Sequence, residues 1–70
     1  MAVMKTYQLH FSDGRGDRTA SGTVFCHSDD AAAASAQRLL RTMSYFDTVQ
    51  VREGQRPVAA LERRDLEVAA

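Results

Sequence analysis

The sequence places a thiol, an imidazole and two carboxylates within the seven residues VFCHSDD, at 24–30. Cys26 and His27 are adjacent, and Asp29 and Asp30 follow closely. These residue types serve thiol catalysis and metal binding. A catalytic thiolate, however, needs a base or a cation close enough to lower its pKa. Whether these groups can act together depends on the strand and the helix that position them.

A strand, a turn and a returning strand are predicted ahead of and through this cluster. VMKTYQLHF at 3–11 alternates apolar and polar side chains, which is the period of a strand with one buried face. SDGRGD at 12–17 supplies the glycines of a hairpin turn, and RTASGTVFCH at 18–27 returns. We expect Leu9 opposite Gly22, because this register gathers on one face Tyr7, Leu9, Phe11, Ala20, Val24 and Cys26.

This register separates Cys26 from His27. Adjacent strand residues point to opposite faces, so Cys26 turns towards the core and His27 turns away. We therefore interpret Cys26 as a small buried apolar residue, and we predict no catalytic residues and no enzymatic activity. An enzyme that uses Cys26, with the thiol pKa lowered by the start of the following helix, is kept as a third hypothesis besides the two functions given below.

The two histidines do not suggest a metal site. His10 and His27 share the outer face, but at about six residues apart along the strand they are separated by roughly 20 Å. The chain has one cysteine, which excludes an internal disulfide and leaves a poor set of metal ligands. We predict neither a metal nor a cofactor.

A helix is predicted over SDDAAAASAQRLLRTM, at 28–43. Ser28 or Asp29 can cap its first turn, and acidic residues there suit the helix dipole. Helical spacing places on one stripe Ala32, Ala36, Leu39, Leu40 and Met43. TVQVRE at 48–53 and RPVAALE at 56–62 complete the pattern as two more strands.

The predicted fold is therefore α+β, with the order ββαββ. Four antiparallel strands in the spatial order 2-1-3-4 place the two more apolar strands in the centre, and the helix covers one face. The Gly22-bearing strand and the strand that starts at Pro57 form the edges. We expect a single domain over residues 1–70, with an ordered core at about 3–62 and a frayed tail at 63–70.

Composition limits the partners of this domain. Nine basic and nine acidic residues cancel, so no net field steers the chain onto nucleic acid or anionic lipid. No apolar run approaches the roughly 20 residues that span a bilayer, and the start lacks a signal-peptide apolar region. We expect a cytoplasmic protein without membrane contact, for which nucleic acid is not the favoured ligand.

One helix cannot cover both faces of a four-stranded sheet, so we predict an interaction surface. Its expected residues are His10, Phe25, His27, Arg52 and Arg56. We expect a protein-interaction or regulatory module, and the sequence does not identify its partner. Because a chain of 70 residues builds only a small core, a homodimer is also expected. The alternative is a nucleic-acid-binding module that uses Arg52, Arg56, Arg63 and Arg64.

Three segments carry a family resemblance: YQLHFSDGRGD, SDDAAAASAQRLL and VQVREGQRPVAALER. Together they resemble a group of short single-domain proteins with a ββαββ pattern, common in alphaproteobacteria and without an assigned function. The likeness spans most of residues 6–63. Members often carry a tryptophan where this chain has Arg52. The resemblance implies no catalytic residues.

Overall fold

A computed structural model of the chain describes residues 3–43 and 45–64. The strands form one antiparallel sheet in the order β2-β1-β3-β4. The predicted ββαββ fold and its strand order are confirmed. The bounds of the elements are Lys5–Ser12 for β1, Thr19–Cys26 for β2, Asp29–Thr42 for α1, Thr48–Glu53 for β3 and Arg56–Glu62 for β4.

The register of the first hairpin is the predicted one. Leu9 lies opposite Gly22 in β2 and opposite Val51 in β3. The two most apolar strands therefore stand in the centre of the sheet. Because residues that face each other across a ladder point to the same side, the strand residues of the core collect on the face towards α1.

The loop of this hairpin is held by one carboxylate. Asp13 accepts four backbone N–H bonds: Oδ1 from Arg15, Gly16 and Asp17, and Oδ2 from Arg18. Burial acts to raise the pKa of Asp13, but these four bonds outweigh it and the net pKa is lowered. Gly14 and Gly16 have φ of 80° and 81°, which suits glycine. The turn of the predicted hairpin is thus held by the carboxylate of Asp13 and by the two glycines.

Helix α1 begins at the predicted cap. Ser28 Oγ accepts a bond of 3.2 Å from the backbone N–H of Ala31. Ala32, Ala36 and Leu40 are buried against the sheet. The small residues early in this stripe let the helix lie close to the strands. The core consists of Tyr7, Leu9, Phe11, Cys26, Ala32, Ala36, Leu40, Val49 and Val51.

The other end of α1 is closed by Arg63. Its guanidinium donates to the carbonyl oxygens of Leu40, Met43 and Phe46, with Nη2 at 2.5 Å from the oxygen of Leu40 and 2.7 Å from that of Phe46. The carbonyls of Leu40 and Met43 lie where a helix leaves its last acceptors without helical donors, and that of Phe46 lies in the loop that follows. Arg63 was expected to begin the frayed tail, yet it is anchored; residues 65–70 of that tail lie outside the described residues.

Candidate functional site

Among the described residues, no helix or strand covers the face of the sheet opposite α1. Strand pairing arranges its side chains in rows, with His10 between Ser21 and Gln50. In the next row, Gln8 lies between Thr23 and Arg52. We call this surface the open face; its residues, all exposed, are Thr6, Gln8, His10, Ser21, Thr23, Phe25, Gln50, Arg52 and Ala60.

An aromatic ring stands at one corner of the open face. Phe25, near the end of β2, is 62% exposed and lies opposite Thr6. Met4, two residues before Thr6 in the chain, is 49% exposed. An aromatic and a thioether side chain are the kinds of group that protein interfaces use preferentially. The open face thus combines one apolar corner with a polar field.

The polar field forms a shallow, open depression across the middle of the open face. Six side chains line it, and they supply amide, imidazole, hydroxyl and guanidinium groups: Gln8, His10, Ser21, Thr23, Gln50 and Arg52. Together they offer both hydrogen-bond donors and acceptors. A small-molecule site is usually concave and mostly apolar. This depression is open and lined by polar side chains, so it differs from such a site.

The five residues predicted for the interaction surface do not lie together. His10, Phe25 and Arg52 are on the open face, and His27 is exposed directly after β2. Arg56 is on the helix side, because its ladder partner Glu53 follows Arg52 in β3 and therefore points away from the open face. A register shift between Val51 and Arg52 sets this pairing. The sequence alone leaves the facing of β4 open, and the β-bulge decides it.

Arg56 belongs to a cluster that ties α1 to the sheet. Its guanidinium forms a bidentate pair with Asp29, at 3.0 Å and 2.9 Å, and also reaches Glu53 at 2.5 Å. The hydroxyl of Tyr7 donates to Asp29 Oδ1 at 2.8 Å. Asp29 is the first residue of α1, so one carboxylate connects the helix start to β1 and β4.

The ionisation of this cluster is fixed by its contacts. Burial, together with the hydrogen bond and the negative charge of Asp29, raises the pKa of Tyr7 to about 12. Hydrogen bonds from Arg56 and Tyr7 lower the pKa of Asp29 to about 2. Hydrogen bonds to Asp29 and Glu53 also raise the pKa of Arg56 above its usual range. Tyr7 is fully buried. The cluster therefore acts as a structural link. Near neutral pH, Asp29 stays negative, Arg56 stays positive and Tyr7 stays uncharged.

Cys26 and His27 are separated as predicted. Cys26 is buried on the helix side, with Sγ 3.9 Å from Ser35 Oγ, and His27 is exposed. Within residues 3–43 and 45–64, no three His, Cys, Asp or Glu side chains stand close enough together to hold a metal ion. The reactive groups of VFCHSDD thus belong to three different environments: the core, the surface and the helix start.

The four arginines of the nucleic-acid alternative also have separate surroundings. Arg56 is bound to Asp29 and Glu53, and Arg63 to the carbonyls at the end of α1. Arg64 pairs with Glu62 at 3.1 Å. Arg52 lies on the open face, where it has no ion pair among the described residues. The arginines do not form one basic patch.

Comparisons with known proteins add no relative. No protein family matches the chain, and no curated protein or solved structure is significantly similar to it. Among the described residues, no helix is both long and apolar enough to traverse a lipid bilayer.

Two contact sets were missed by sequence reasoning. The Tyr7–Asp29–Arg56 cluster had a signal, because a tyrosine on a core face needs a partner for its hydroxyl and Asp29 begins the helix that packs there. The contacts of Arg63 had none, since they depend on how the chain turns between α1 and β3.

Proposed function

We propose that this chain is a small non-catalytic protein-interaction module of the cytoplasm that binds a protein partner through the open face. The observation that carries the proposal is the exposure of the whole face, with the ring of Phe25 62% exposed at its corner. An exposed aromatic beside a polar field matches the anatomy of an interface, where an aromatic anchor is bordered by hydrogen-bonding groups.

The rigidity of this surface supports the proposal. The strands β1 and β3, which carry Gln8, His10 and Gln50, are fixed in the centre of the sheet. The opposite side of the same strands packs against the core. A partner would therefore meet a backbone that is already positioned, which lowers the entropy cost of binding.

The chemistry elsewhere in the chain supports a non-catalytic role. Tyr7, Asp29 and Arg56 have displaced pKa values because they bind one another across the start of α1. Their contacts explain the displacements without a substrate. The unpaired thiol of Cys26 suits a reducing compartment such as the cytoplasm.

Site-directed photo-crosslinking tests the proposal. A p-benzoylphenylalanine replaces Phe25 in one variant and Tyr45 in a matched control, because Tyr45 is an aromatic of similar exposure, at 70%, away from the open face. Irradiation in the cells of origin should give a discrete heavier adduct from position 25 and none from position 45. Equal adducts from both positions, or none from position 25, would contradict the proposal.

The protein that is crosslinked to position 25 is then purified, and its binding to the chain is measured to check the contact. Phe25→Ser should weaken its affinity by about tenfold or more, as loss of an aromatic anchor does. Tyr45→Ser should leave the affinity unchanged. A partner that binds the Phe25→Ser chain as tightly as the unmodified chain would show that the open-face corner is not the contact.

A further inference from the structure

The two edges of the sheet differ in their protection. β4 carries Pro57, a register shift against β3, and charged residues at both ends, Arg56 and Glu62. Proline, bulges and charges are the devices by which proteins keep an edge strand from pairing with another chain. β2, with the sequence TASGTVFC, has eight residues, no charge and no proline, and it pairs with β1 without a register shift.

The backbone of β2 presents a regular row of groups that have no hydrogen-bond partner among residues 3–43 and 45–64. The backbone N–H of Asp13 donates to the carbonyl of Arg18, so these two residues form a hydrogen-bonded pair. Such pairs alternate along an antiparallel ladder with pairs whose groups point away. The N–H and C=O groups that point away from β1 are therefore those of Thr19, Ser21, Thr23 and Phe25.

We propose that β2 pairs antiparallel with β2 of a second copy of this chain, which joins two sheets into one of eight strands. The proposal goes beyond the proposed function, because the pairing uses the edge of β2 and leaves the open face available to another protein. The two-fold axis would pass beside Gly22. This centre uses nearly the whole strand, and it places residues of the same facing opposite each other, as an antiparallel pair requires.

Self-complementarity points to a second copy as the occupant. About Gly22, Ser21 lies opposite Thr23 of the second copy on the open face, so hydroxyl meets hydroxyl. On the helix side, Ala20 lies opposite Val24 of the second copy, and both residues are only half-buried in the single chain. A two-fold axis brings like groups together, and the absence of charge in β2 means that no like charges meet.

Space at the centre of the strand also permits this pairing. An added Cβ at Gly22 would meet nothing within 4 Å, so α1 does not crowd the middle of the edge. The paired strands would be about 26 Å long. A contact between two strands of this length buries less surface than the roughly 1,600 Å² that a standard stable interface buries. We therefore expect the association to depend on concentration in the micromolar range.

Matched proline variants test the edge. Thr23→Pro removes an edge-directed N–H of β2 and leaves the bonds to β1 intact. Ala60→Pro is the control on the other edge: Arg63 donates its N–H to Asp47, and the same alternation directs the N–H of Ala60 away from β3. Both residues lie on the open face.

Sedimentation equilibrium over a range up to about 500 μM measures the association. The unmodified chain and Ala60→Pro should approach twice the chain mass of 7.7 kDa, and Thr23→Pro should weaken dimerisation by about tenfold or more. Far-UV circular dichroism establishes that each variant is folded. If Thr23→Pro does not fold, Thr23→Lys replaces it, with Ala60→Lys as its control and the same expectation.

Two outcomes would overturn the edge pairing: an unmodified chain that stays at 7.7 kDa throughout, or equal dimerisation of the two matched variants. These outcomes are distinguishable from failure of the proposed function. A monomeric chain that still forms a Phe25-dependent adduct with another protein retains the open-face function and loses only the self-pairing.

Discussion

The two faces of the sheet are built from the same strands but do opposite work. The helix-side face is filled by fully buried side chains such as Leu9, Val49 and Leu40 of α1. The open face carries hydroxyl, amide and imidazole groups and one exposed ring, Phe25. Alternation along each strand separates the two sets. On the proposed function, stability and recognition reside in different residues, so substitutions should separate them.

Removal of a core side chain should produce the largest loss of stability. Leu40 is fully buried between α1 and the sheet. We expect Leu40→Ala to lower the free energy of unfolding by about 3 kcal/mol, because it removes buried apolar surface and leaves a cavity. Urea unfolding followed by circular dichroism measures the change. Arg38→Ala, on the exposed side of α1, is the control and should change it by less than about 0.5 kcal/mol.

Loss of the Arg63 contacts should come next. Arg63→Met keeps much of the side-chain volume but removes the donors to the carbonyls of Leu40, Met43 and Phe46. We expect a loss of about 2 kcal/mol in the free energy of unfolding, typical of hydrogen bonds from a charged group. Arg64→Met removes only one exposed ion pair, with Glu62, and should have little effect. Similar stabilities for the two variants would show that Arg63 does not secure the end of α1.

The contacts of Asp29 should appear as a dependence of stability on pH. The folded-state pKa of about 2 lies below the ordinary value of 3.8, so this stabilisation is present above about pH 4 and is lost as the pH falls towards 2. Asp29→Asn should be less stable at neutral pH and show a weaker loss in this window. The lowered pKa of Asp13 contributes to the same window and persists in the variant. The difference between the two unfolding curves therefore isolates Asp29.

Asp30→Asn is the matched control for that prediction. It removes the same charge from the same helical turn, but Asp30 is exposed and makes none of the contacts to Tyr7 and Arg56. Its loss of stability between pH 4 and 2 should resemble that of the unmodified chain. If Asp30→Asn and Asp29→Asn behave alike, the effect comes from the helix dipole and not from the cluster.

The helix-side face was far more predictable than the candidate site. Alternation in β1 fixed the register with Gly22, and a one-residue slip would have exposed Tyr7 and Leu9. The facing of Arg56 could not be predicted, because the bulge between Val51 and Arg52 changes the count of residues between the strands. In RPVAALE either set of alternate residues could face the helix. The polar side chains of the open face are not buried, so burial does not determine their positions.

The smallest effect on stability is expected on the open face, where the effect on binding should be greatest. Phe25 contributes little to the core because 62% of it is exposed, so Phe25→Ser should change the free energy of unfolding by less than about 0.5 kcal/mol. The same substitution should weaken partner binding, whereas Leu40→Ala should weaken it only in proportion to the unfolded fraction. Thermal unfolding and binding isotherms on both variants measure this separation. If Phe25→Ser destabilises the chain as strongly as Leu40→Ala, the ring serves the fold, and the two faces do not divide stability from recognition.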